Sequence, residues 1–183
     1  PLTGAIACSN SGGFLGAELR LAGWDMVILE GKSPKPTYLY IENEMAELRS
    51  AEDIWGKSVW ETDEILHKKH QDPQLKIAAC GRAAETGCLY SSIVNDLHRA
   101  AGRSGVGAVM ASKNMKALAV RGTKGVGNIK DPQRFMKETA KHKKVLAEHG
   151  VTGSALPTYG TQVLMNIVNE IGALPANNMK DVQ

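Results

Sequence analysis

The run "NDLHRAAGRSGVGAVMASKNMKALAV", residues 95–120, carries loop, helix and strand signals in immediate succession. His98, Arg99, Arg103, Gly102, Gly105 and Gly107 crowd its first half. The small-residue segment 106–111 then reads as a helix, and "KALAVRG", residues 116–122, as an apolar strand. Loop, helix and strand in that order belong to a mixed α and β domain. Glycines let a backbone approach a ligand closely, and neighbouring arginines select anions.

Upstream, the same mixture continues. Residues 13–22 read as a short helix ended by Gly23, and "DMVILEG", residues 25–31, as a buried strand. "TYLYIE" and "MAELR" form a hairpin joined at Asn43 and Glu44. Ser58 and Glu61 have capping-box spacing and start a helix running to about His70. "LKIAAC" and "CLYSSIV", residues 75–80 and 88–94, read as two further strands. Downstream, composition shifts at "GTKGVGNIKDPQ". Asp131 before Pro132 starts a helix that reaches His149 and stops at Gly150. A last helix, residues 162–171, places Val163, Leu164, Ile167, Val168 and Ile171 on one face, with Gly172 as its terminator. The reading is therefore α+β: a β-sheet domain with helices over residues 1–127, then the start of an all-helical domain over 128–183. The abrupt opening "PLTGAIACSNSGG" and the polar ending read as a piece of a larger protein.

Composition narrows the function classes. A net charge of +3 with dispersed basic residues gives little support for nucleic-acid binding. No apolar run is long enough for a membrane span, and the expected setting is cytoplasmic. Cys8, Cys80 and Cys88 lack metal-ligand spacing and read as buried, reduced thiols. His67 and His70 read as solvated residues of a last helical turn, and Trp24, Trp55 and Trp60 as core or interface anchors. No nucleophile with an adjacent base is visible, so no residue is assigned a catalytic or metal-ligating role.

Two segments remain as candidate sites. The 98–107 loop reads as an anion cradle of glycine-exposed amides with Arg99 or Arg103 as forked donors. A tight strand-to-helix connection with water-facing arginines is the alternative. "SNSGGFLGAEL", residues 9–19, offers a similar glycine turn before a helix, with a plain cap by Asn10 or Ser11 as its alternative.

"SNSGGFLGAELRLAGWD", "DIWGK", "NDLHRAAGRSGVGAVMASKNMKALAV" and "LPTYGTQVLMNIVNEIG" together resemble the aldehyde ferredoxin oxidoreductases, in order along nearly the whole chain. The resemblance implies a tungsten (or molybdenum) bis-pterin cofactor held by the first domain. Carried over, it implies pterin contacts at Asn10 and Gly12, and at Arg99, Ala100, Gly102 and Arg103. It further implies oxidation of an aldehyde to a carboxylate, with electrons leaving through a [4Fe–4S] cluster to ferredoxin or another iron–sulfur carrier. The cluster ligands lie outside this chain, and the family leaves room for a homodimer. Three positions depart from the usual pattern: Ser104 stands where a glycine pair begins, "GRAAET" replaces G-P-A-G-E-N, and Ala111 replaces a glycine. A relative acting on an aromatic acyl-CoA or a hydroxycarboxylate, and a non-catalytic module for a phosphate-bearing ligand, are the rival readings.

Overall fold

The computed structural model describes residues 4–6, 8–177 and 179–182. Contacts divide the chain into two compact units, Pro1–Gly127 and Asn128–Gln183. The first is built on a six-stranded mixed sheet of order β2-β1-β6-β3-β4-β5. Its strands are β1 (Thr37–Glu42), β2 (Met45–Ser50), β3 (Lys76–Cys80), β4 (Ile93–Asn95), β5 (Arg99–Ala101) and β6 (Met115–Arg121). Only β1 and β6 run parallel; the other neighbours are antiparallel.

Period-two alternation sends side chains into two cores. Tyr38, Tyr40, Ile77, Ala79, Ala117 and Ala119 pack with Leu66 of α2 (Val59–His70). Leu39, Ile41, Cys80 and Val120 pack instead with α1 (Leu15–Leu21) and α4 (Val106–Ser112). Met115 shares that second core with Val120, although odd and even positions should separate. The β1–β6 register explains it: Thr37 faces Met115 but Tyr38 faces Ala117, so Lys116 is an extra, bulged residue.

Lys116 is fully buried, and its ammonium donates to Glu85 at 2.5 Å and to the Lys57 carbonyl at 2.8 Å. The other oxygen of Glu85 accepts from the Gly56 N–H at 2.8 Å. One ion pair thus ties the bulge to α3 (Arg82–Glu85) and to the Gly56 loop. The α2 capping box is present: Ser58 accepts from the Glu61 N–H, and Glu61 accepts from the Ser58 N–H. Hydrogen bonds from Ser58, side chain first and then backbone, with Arg82 adding its charge, pull the Glu61 carboxyl down to about 2.

Several expectations need correction. Residues 25–31 form no strand; Val27 packs on the core, but no sheet neighbour pairs with the run. Of the expected 88–94 strand only residues 93 and 94 pair, as part of β4, because the chain first makes the helical turn α3 and then a tight turn. The first helix begins at Leu15, since Gly13 holds φ +95 and cannot be helical. His67 is not simply solvated: its ring nitrogens lie 2.9 Å and 3.0 Å from the Asp63 and Leu75 carbonyls. His70 stacks on Tyr40 with ring centres 4.2 Å apart. Cys80 is buried, whereas Cys88 is half-buried and Cys8 exposed.

The second unit contains α5 (Pro132–Glu148), α6 (Leu156–Tyr159) and α7 (Met165–Glu170). Asp131 caps α5 by accepting from the Arg134 N–H at 3.0 Å. The helix ends at Glu148 with His149 in extended backbone, one residue short of the expected stop, and a separate wide π-helical turn, Gly150–Ala155, follows. The last expected helix opens as a 3-10 turn, Gly160–Leu164, and becomes α-helical only at Met165. The unit is not all helical, because β7 (Pro175–Ala176) and β8 (Asp181–Val182) form a short antiparallel pair.

Candidate functional site

The 9–14 segment and the β4–β5 hairpin lock together at one edge of the sheet. Asn95, at the end of β4, is buried and works in both directions. Its Oδ1 accepts from the Ser11 hydroxyl at 2.5 Å, and its Nδ2 donates to the Gly12 carbonyl at 2.9 Å. Asp96 follows with positive φ, a conformation its short polar side chain tolerates. Its carboxylate accepts from the Phe14 N–H at 2.5 Å, so it caps α1 from across the fold. The cap is therefore neither Asn10 nor Ser11. A second clamp lies below, where the Arg103 N–H donates to the Ser9 hydroxyl at 3.0 Å.

These clamps bring the 9–14 turn against the β4–β5 hairpin, and the six candidate residues, Asn10, Gly12, Arg99, Ala100, Gly102 and Arg103, are all exposed. Arg99 lies along the glycine turn. A Cβ built on Gly12 would sit 3.6 Å from its Cδ and 3.9 Å from its guanidinium carbon. Gly13 is tighter, since an added Cβ would strike the Asp96 carboxylate and come within 2.6 Å of the Asn95 amide nitrogen. Around Gly102 there is open space instead.

Among the described residues, no acceptor engages the N–H of Ser11, Gly12, Gly13 or Gly102, nor either guanidinium of Arg99 and Arg103. Exposed amides and two uncommitted cations beside side-chain-free backbone are what a phosphate-bearing ligand requires. The residues present therefore fit such a group.

Ser104 continues the cradle at φ +69 and Gly105 follows at φ +67. Two left-handed residues in a row turn the chain from β5 into α4. Gly107 then lets α4 press on the 91–92 backbone, since a Cβ there would lie 2.5 Å from the Ser92 carbonyl oxygen. Cys8 Sγ lies 4.0 Å from the Asn10 side-chain oxygen. Among the described residues, no three metal-binding side chains cluster. Asn95 and Asp96 frame the site yet lie outside both candidate segments read in the sequence. Their signal was an Asn-Asp pair closing an apolar strand.

The N-terminal domain of aldehyde ferredoxin oxidoreductase matches residues 1–122. A tungsten-containing aldehyde ferredoxin oxidoreductase of Pyrococcus furiosus is 49% identical over 98% of this chain. Its counterpart from Pyrococcus abyssi is 48% identical over the same share. The chain spans 30% of the length of either relative. A solved structure, the active site complex BamBC of benzoyl coenzyme A reductase with 1,5 dienoyl-CoA, superposes on 77% of the chain and uses 22% of its own. The TM-score is 0.69 and the identity 40%. No helix among the described residues is long and apolar enough to cross a membrane.

Proposed function

The chain belongs to the aldehyde ferredoxin oxidoreductase family, and from that premise we propose that its first unit holds the phosphate-bearing part of a tungsten bis-pterin cofactor. The observation that carries this reading is the Arg99 guanidinium laid along Gly12, between backbone amides without acceptors. Asn10, Gly12, Ala100 and Gly102 would present backbone and small side chains to the group. Arg99 and Arg103 would supply the counter-charge. Asn95 and Asp96 would act one step back, fixing the two segments that make the cradle.

When bound, the metal and its dithiolene pterins supply the redox chemistry: an aldehyde and water become a carboxylate, three protons and two electrons. The electrons would pass one at a time through a [4Fe–4S] cluster, with ligands outside this chain, to ferredoxin. The protein's part here is to bind and orient. A second reading within the family, a relative acting on an aromatic acyl-CoA, draws on the benzoyl coenzyme A reductase likeness, at lower identity. The experiment is to purify the complete parent protein and measure tungsten, molybdenum and iron together with aldehyde-dependent reduction of ferredoxin. Arg99→Ala should lower pterin and tungsten in parallel. Full metal loading in that variant would overturn its role, and a metal-free active parent would overturn the cofactor reading.

A further inference from the structure

Residues 26–30 run without turn or bend between bends at Asp25 and Gly31. Among the described residues, none of their backbone N–H or C=O groups is hydrogen-bonded. Val27 packs on the α1 side of the sheet, and Leu29 lines an apolar cavity of about 500 Å³ shared with Ala78, Ile93, Val109 and Leu118. The alternate residues, Met26 and Ile28, are 69% and 73% exposed. Such period-two alternation belongs to a strand, but here the outward residues Met26 and Ile28 are as apolar as the inward ones, and charge enters that face only at the terminal Glu30. That pattern suits a strand covered on both faces.

We infer that residues 26–30 are an unpaired β-strand edge, and that its occupant is a further strand of the same, longer polypeptide. Three observations carry this. Unpaired backbone groups between large apolar side chains are costly unless another strand satisfies them. The sheet's own edges look finished by contrast: β2 carries Glu47 and Arg49 on an exposed strand, and β5 has only three residues. The 26–29 run has neither charge nor proline to discourage pairing. Finally, relatives matched along 98% of this chain are more than three times its length, which supplies the strand at high effective concentration.

The test is amide hydrogen exchange of the intact parent protein, read by mass spectrometry in peptides covering residues 26–30. Exchange on the order of tenfold or more slower than unprotected backbone, unchanged on dilution, is the expected result. Exchange at the unprotected rate would overturn the inference. So would protection that disappears when the protein is diluted to monomers, because the edge would then belong to a second copy.

Discussion

Ser104 holds φ +69, a left-handed backbone that costs an L-residue roughly 1–2 kcal/mol and glycine almost nothing. The family resemblance leads one to expect glycine near this position, and the strain gives a physical reason for it. Ser104→Gly should raise the thermal midpoint, by the equivalent of up to about 1 kcal/mol once the added chain entropy of glycine is deducted. An unchanged or lowered midpoint would mean that the serine hydroxyl makes good the strain. Three neighbouring glycines should separate by mechanism. Gly12 and Gly102 keep ordinary backbone angles with room for a methyl, so alanine at either should leave folding stability within about 1 kcal/mol. Tungsten content should fall in both. Gly13→Ala should instead lower the melting temperature, because φ +95 and the Asp96 and Asn95 side chains leave no place for a Cβ. Equal metal content across all three would argue that the first two serve only the turn.

At the scale of elements, the Lys116 bulge joins β6, α3 and the Gly56 loop through two buried charges. Lys116→Met would strand Glu85 with little exposure and no cation, at a cost of about 3–5 kcal/mol. Adding Glu85→Gln should recover much of that loss, because neither buried charge then remains. Chemical denaturation of the two variants checks the pair. If the double variant were no better than the single, the attraction between the charges would not be what the bulge requires. Elements with strong local signals formed where expected: the β1–β2 hairpin at Asn43, α2 from its capping box, and α5 from Asp131. The 25–31 run failed as a strand because apolar content supplies a tendency to pair and not a neighbour.

Across the whole molecule, the two units differ in how they hold themselves. Pro1–Gly127 has two buried cores, one on each face of its sheet. Among the described residues of Asn128–Gln183 none is buried, and Phe135, Met136, Val145 and Leu146 of α5 are all more than half exposed. Helix formation without tertiary burial seldom offsets chain entropy. A peptide of residues 128–183 should therefore show far less helix by circular dichroism than the structure contains. A cooperative thermal transition in that peptide would contradict this.

What the sequence determined by itself was whatever short-range chemistry can write: caps, hairpin turns, period-two strands, and the α+β class. It also carried the family motifs, because a motif is a statement about neighbours in the chain. Only the tertiary structure decided that the 9–14 turn and the 95–103 hairpin form one surface, since Asn95 reaches Gly12 across 83 positions. It likewise decided that Asp96 and not Ser11 caps α1, and that Lys116 is buried beside Glu85. These are choices between partners far apart in sequence. They depend on which polar groups lose water together, a quantity set by packing and not by spacing along the chain.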